Sequence, residues 1–235
     1  MSEPNRVAEL GRRYALPAKA ALQLEALLDL LAADVHAPTA VTAPDRATDV
    51  HLADSLSALE LAEVRRALEI ADIGSGAGLP GLALAIALPR ARVALVESVA
   101  RRCAFLERAC AVTGATNARV VNARVEAWGA GIGRHDLVTA RAVGPLALLC
   151  EYAAPLLARD GMLLAWKGRV ADDELLAGNL AAAELGLEPV AVVRSRPYSG
   201  SSGHYLHMYV KTSDTPSRFP RRPGIARKRP LGAGR

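Results

Sequence analysis

Three glycines at alternate positions, Gly74, Gly76 and Gly78, stand between two acids: Asp72 just before them and Glu97 some way beyond. Glycine has no Cβ, so a chain leaving a buried strand can turn sharply there and let its backbone approach a ligand closely. The flanking residues supply what such a loop needs. Glu69 to Ile73 reads as a short buried strand, Pro80 to Leu88 as a short apolar helix, and Arg92 to Glu97 as a second strand. The ligand then lies at the strand's C-terminal edge, and Glu97, placed about where a dinucleotide fold puts its acid, accepts hydrogen bonds from both ribose hydroxyls. A dinucleotide itself fits poorly, because the G-x-G-x-x-G pattern begun at Gly74 requires glycine at 79, which is Leu79. Asp72 beside the loop suits a cationic amino-acid group better than a diphosphate. S-adenosyl-L-methionine carries an amine, a sulfonium and an adenosine, and it fits both acids.

Three basic side chains fall at the ends of the following strands. Arg124-Val125-Glu126 follows a strand at 119–121 and forms a turn able to hold adenine through backbone groups and one carboxylate. Arg141 ends a strand begun at Asp136, and Lys167 ends one begun at Gly161. The Asn or Asp-Pro-Pro-aromatic sequence that serves amine methylation is replaced here by Arg141-Ala-Val-Gly144, and Cys150 falls inside a helix, where it cannot serve as a nucleophile on pyrimidine carbon. A ring nitrogen with a free lone pair, such as N(7) of guanine, needs no base, so alignment suffices. Arg124, Arg141 and Lys167 are the candidates for that alignment, since a guanidinium fork can bond a purine's acceptor edge or clamp a phosphate. The same residues are equally suited to a small anionic substrate.

The elements that position these residues alternate strand and helix. They predict an α/β fold, a Rossmann-like seven-stranded mostly parallel sheet of the S-adenosylmethionine-dependent methyltransferase type, whose last hairpin, near 188–194 and 204–211, gives an antiparallel edge. A helix over 99–113 stops at Gly114, and another covers 171–185. Residues 1–47 read as a helical extension packed on the core, with Leu22, Leu27, Leu28 and Leu31 as its apolar stripe and Pro17 opening its second helix. The stretch from Ala37 to Asp49 reads as a loop, with Thr48 or Asp49 capping a helix that carries His51, Asp54 and Ser55. His51 and Asp54 share a face of it, either as a surface pair or lining the cofactor mouth. Residues 48–211 form the methyltransferase domain and 212–235 a basic tail.

With 51% hydrophobic and 23% charged residues among 235, the composition is that of a soluble domain, and no apolar run approaches the roughly 18 residues of a membrane span. The N-terminus shows no secretory pattern, so the expectation is a cytoplasmic monomer. Cys103, Cys110 and Cys150 are odd in number and lack C-x-x-C spacing, which supports neither disulfides nor a metal site. The net charge of +5 belongs to residues 217–235, where Arg218, Arg221, Arg222, Arg227, Lys228, Arg229 and Arg235 are seven bases without an acid, and removing them leaves residues 1–216 at −2. Such a segment either is a solvated end or contacts a phosphate backbone, with Arg221, Arg222, Arg227, Lys228 and Arg229 as the contacts.

Taken together, His51-Leu-Ala-Asp-Ser55, Asp72-Ile-Gly-Ser-Gly-Ala-Gly-Leu-Pro-Gly81, Arg101-Arg-Cys-Ala-Phe-Leu106, Ala123-Arg-Val-Glu126, Ala140-Arg-Ala142, Trp166-Lys-Gly168 and Phe219-Pro-Arg-Arg-Pro-Gly224 resemble, in order, the glucose-inhibited division protein B family. These are bacterial methyltransferases of guanine N(7) in small-subunit ribosomal RNA. The resemblance implies use of S-adenosyl-L-methionine, a guanine in the decoding-region loop of 16S ribosomal RNA or the small subunit as acceptor, and Gly74, Leu79, Val125, Glu126 and Arg141 at the cofactor. Two departures stand out. The family's Trp-Asn and Asn-Leu-Thr sequences are absent, with only Ala40-Val-Thr42 in that region, and His204 or Tyr205 replaces a frequent arginine. A small-molecule methyltransferase would keep the same cofactor site, a non-catalytic RNA-binding assembly module would lack transfer, and an NAD-dependent enzyme would need a loop of different register.

Overall fold

The computed structural model describes residues 6–34, 37–39, 41 and 43–232. Helices α1 (Arg6–Arg13) and α2 (Ala20–Ala33) lead to a continuous helical stretch built of α3 (Pro44–Ala47), a wide π-helical turn at Thr48–Ala53 and α4 (Asp54–Leu56), then α5 (Ala62–Arg66). The alternating unit follows: β1 (Glu69–Ile73), α6 (Gly81–Ala87), β2 (Arg92–Glu97), α7 (Ala100–Thr113), β3 (Ala118–Asn122), β4 (His135–Arg141), α8 (Leu146–Ala153), β5 (Leu157–Lys167), α9 (Asp172–Leu185), β6 (Leu187–Ser195) and β7 (His204–Lys211). A short helix, α10 (Ile225–Lys228), lies in the tail.

The seven strands take the order β3-β2-β1-β4-β5-β7-β6. Those from β1 to β5 are parallel, and β7 runs antiparallel between β5 and β6. The last hairpin forms the antiparallel edge as expected: β6 is outermost, and its reversal into β7 brings residues 204–206 to the same end of the sheet as Arg141 and Lys167. Side chains alternate between the two faces, as a period of two demands. Ile70, Leu95, Leu137 and Leu164 meet α2, α6 and α7 on one face, while Ile73, Val96, Val138 and Leu163 meet α8 and α9 on the other.

Two expectations in the N-terminal part change. Leu22 is 71% exposed, and the buried stripe of α2 is Leu24, Leu27 and Leu31. Thr48 and Asp49 do not cap a helix, because helix has already begun at Pro44, a residue whose fixed φ suits a first turn. Asp49 instead pairs with Arg6 of α1. Ala40 and Thr42 lie outside the described residues.

Candidate active site

The glycine loop leaves β1 with φ values of +67° at Gly74, +52° at Gly76 and +86° at Gly78, conformations that side chains with a Cβ rarely adopt. Space is as restrictive as backbone at the first of them: a Cβ on Gly74 would stand 2.8 Å from Val143 Cγ2. The loop is anchored to β2, where Val96 O accepts the amides of Gly74 at 2.8 Å and Ser75 at 3.1 Å. Glu97 ends that strand with its carboxylate 4% exposed. Its Oε1 accepts the Ser98 and Val99 amides at 2.7 and 2.9 Å, and its Oε2 accepts the Gly76 amide at 3.2 Å. Arg102 Nη1 also stands 3.7 Å from Oε2, an ion pair longer than a hydrogen bond, and of the carboxylate's roughly four lone-pair sites one on Oε2 carries no hydrogen bond.

Asp72 does not line the mouth. It is buried on the face covered by α6, and Oδ1 accepts the Thr139 hydroxyl at 2.7 Å. Oδ2 has no hydrogen-bond partner among the described residues and lies against Gly81 at the start of α6. Burial pushes its pKa up to about 6 although the Thr139 hydrogen bond opposes the shift. Its work is on the loop, since the Ser75 hydroxyl donates to the Asp72 carbonyl at 2.8 Å. Leu79 is likewise buried, in the core beneath the loop.

The turn after β3, Val125–Ala127, stands at the same sheet end. Glu126 Oε1 accepts the Gly224 amide of the tail at 3.0 Å. Arg124 is exposed and separated from β5 by four strand spacings, roughly 19 Å. The structure thus does not bring it together with Arg141 and Lys167.

Those two do meet. They line one cavity of about 330 Å³ with Asp54, Trp166, His204 and Tyr205. Arg141 Nη1 donates to Asp54 Oδ2 at 2.9 Å and to the Val50 carbonyl at 3.1 Å. The other oxygen of Asp54 bonds His204 Nδ1 at 3.0 Å, and its carbonyl accepts Trp166 Nε1 at 3.0 Å. Lys167 Nζ is held by Glu174 at 2.6 Å and by the Gly144 carbonyl at 3.1 Å. Just past Arg141 the chain turns through Ala142 at φ +58°, a strained conformation of the sort that collects at functional sites. His51, by contrast, turns to Thr39 Oγ1 and the Val41 carbonyl at 3.0 and 3.1 Å, and burial lowers its pKa.

The basic tail is docked along much of its length. Phe219 and Ala226 are buried, and Arg221 forms a two-pronged pair with Glu151, itself 2% exposed. Arg227 donates to the Val143 carbonyl at 3.3 Å, and Arg218 pairs with Glu184 at 2.9 Å. Arg221 is therefore spent inside the molecule, whereas Arg222, Arg227, Lys228 and Arg229 are exposed. Arg235 lies outside the described residues. The sequence singles out Arg141, the helix face of Asp54 and the position of His204 separately, but not their meeting in one cluster; nothing in the sequence marks Glu151.

Known proteins resemble this chain over most of its length. A family model described as rRNA small subunit methyltransferase G matches residues 22–198. The chain is 42% identical over 197 residues to the ribosomal RNA small subunit methyltransferase G of Rubrobacter xylanophilus, covering 81% of this chain and 76% of that protein. It is 38% identical over 200 residues to the protein of the same name from Carboxydothermus hydrogenoformans, covering 82% and 83%. Among solved structures, the 16S rRNA (adenine(1408)-N(1))-methyltransferase of Catenulisporales acidiphilia superposes with a TM-score of 0.52 at 19% identity, over 66% of this chain and 91% of that one. Methanococcus jannaschii fibrillarin, a pre-rRNA processing protein, gives 0.54 at 17% identity, over 68% and 74%. Both share the fold. Among the described residues no helix is long and apolar enough to cross a membrane.

Proposed function

The chain belongs to the rRNA small subunit methyltransferase G family, and from that premise we propose that it methylates N(7) of one guanine in 16S ribosomal RNA, using S-adenosyl-L-methionine. When bound, the cofactor supplies an electrophilic methyl group that the N(7) lone pair attacks in line, with no proton to remove beforehand. The chain's own residues fit the cofactor. The glycine turn opens its backbone to the site, the free lone pair of Glu97 Oε2 is available to a ribose hydroxyl, and Val125 closes the adenine side with backbone groups, while Asp72 supports the loop from below.

The observation that carries the reading is the adjacency of two strand ends. β1 delivers Gly74, β4 delivers Arg141, and the two strands are hydrogen-bonded neighbours where the strand order reverses. Such a crevice is where open α/β sheets hold their ligands. Arg141 and Lys167 orient the acceptor there, and Arg222, Arg227, Lys228 and Arg229 contact the RNA backbone. The reading includes a monomeric enzyme of the cytoplasm acting on the small subunit or its RNA.

The test is transfer of labelled methyl from S-adenosylmethionine to small subunits taken from cells lacking this enzyme. Label in the 16S RNA is the expected result. Unlabelled RNA from a protein that binds S-adenosylhomocysteine would contradict it.

A further inference from the structure

We propose that the cavity beside Arg141 is a socket for the target guanine alone, which Asp54 recognises by its Watson–Crick edge; this rests on the methyltransferase reading above. A volume of about 330 Å³ lies at the small end of ligand pockets, and a stacked helix cannot enter it. Enzymes that do chemistry on a base take it out of its stack into a snug pocket, read its Watson–Crick edge and hold its faces on aromatic or apolar groups. This cavity has the parts. The rings of Trp166 and Tyr205 are in its wall, and a carboxylate and two cations face into it.

The polar lining points to guanine. Its Watson–Crick edge presents two adjacent donors, N(1)–H and the N(2) amine, beside the O(6) acceptor. Adenine offers an acceptor at N(1) in place of that donor. Asp54 already takes one hydrogen bond on each oxygen, from Arg141 and from His204, and has about two lone-pair sites left for the paired donors. Arg141 or Lys167 supplies a donor for O(6). A second, independent feature marks the cavity as a binding site: Ser195, 3% exposed and in its lining, carries a buried hydroxyl with no hydrogen-bond partner among the described residues. Buried polar atoms are seldom left so, and a polar atom of the incoming nucleotide would satisfy it. With N(1) and N(2) turned to Asp54, N(7) stays free on the other edge of the base.

The test uses the fluorescence of Trp166. The chain has two tryptophans, so Trp128→Phe leaves Trp166 as the only indole. With S-adenosylhomocysteine saturating, guanosine 5′-monophosphate is expected to alter the emission at concentrations about tenfold or more below adenosine 5′-monophosphate, the discrimination of one good two-pronged contact. Asp54→Asn should bring the two midpoints together while the melting transition stays cooperative. Equal midpoints in the parent protein, or a guanine preference that survives Asp54→Asn, would overturn the socket. The enzyme reading falls separately: 7-methylguanosine formed by a protein without guanine preference sinks the socket alone, and a preserved preference with the methyl on another atom of guanine sinks the N(7) assignment alone.

Discussion

Arg141, the last residue of β4, meets Asp54 at 2.9 Å across 87 residues of chain, and the same carboxylate holds His204 at 3.0 Å. One acid thus ties the end of the parallel sheet, the helical stretch before it and the antiparallel return strand into a single wall. The arginine's direction is fixed by a second bond to the Val50 carbonyl at 3.1 Å. Both bonds leave from Nη1, which anchors one arm of the planar guanidinium, and a group anchored so can orient an acceptor without taking a proton from it.

Arg141→Ala should therefore lower methyl transfer by about 100-fold, the cost of a small misplacement of reacting groups, while leaving a cooperatively folded protein. Arg141→Lys should not restore it, because an ammonium that takes up the Asp54 and Val50 acceptors lacks the guanidinium's further coplanar N–H donors for the incoming base. Single-turnover rates beside melting curves check this; full activity in folded Arg141→Ala would remove the residue from the site.

The tail's arginines should separate into two kinds. Arg221→Ala leaves Glu151 buried without its partner and should cost about 3–5 kcal/mol of stability. Arg222, Lys228 and Arg229 are exposed, and replacing all three with alanine should leave stability nearly unchanged. That triple variant should instead flatten the plot of log affinity for RNA against log salt by about 2, given roughly 0.7 per single-strand phosphate contact. Urea denaturation and filter binding over a range of salt measure the two effects; an unchanged slope would reduce the exposed bases to solvated chain.

Gly74→Ala meets two obstacles at once, a φ of +67° and Val143 Cγ2 at 2.8 Å. The backbone term alone is about 1–2 kcal/mol. Calorimetry should show S-adenosylhomocysteine binding weakened by tenfold or more, and wild-type affinity in this variant would argue that the ligand sits elsewhere.

Asp72 sets a pH dependence whose sign follows from its burial. Its folded pKa of about 6 exceeds the unfolded value of 3.8, so the folded state binds more protons between them and stability falls as pH rises through that window. The fall should be roughly 3 kcal/mol, complete above the folded pKa. Asp72→Asn keeps an acceptor for Thr139 and should abolish that part of the profile. Stability curves of the two proteins that stay parallel from pH 4 to 7 would contradict the buried carboxylate.

How much of this could be read in the sequence depends on the range of the interaction. β2 occupies the span its continuous apolar run announces, Arg92–Glu97, because the pattern of a strand buried on both faces is local. The loop was legible for the same reason: positive φ at alternate residues demands glycine, and the chain supplies it. Spacing gives the proximity of Asp72 to the loop but not its burial on the strand face beneath α6. Only the fold brings Gly224 to Glu126, 98 residues later. The docking of the tail was hidden likewise, since Arg221 reads as one more surface base until Glu151, buried on α8, is seen opposite. His51 and Asp54 were legible as sharing a face, yet they take different partners, Thr39 for one and Arg141 for the other.

The central claim, methyl transfer to N(7), is tested most directly at the modified atom. A purine methylated at N(7) carries a cationic imidazole ring, which borohydride reduces and aniline then cleaves from the chain. After reaction of unmodified small subunits with the enzyme and S-adenosylmethionine, this chemistry should cut the 16S RNA at one new guanine, and the labelled nucleoside should have the mass and mobility of 7-methylguanosine. Label recovered in a nucleoside that resists the cleavage, or in one other than guanosine, would contradict the account.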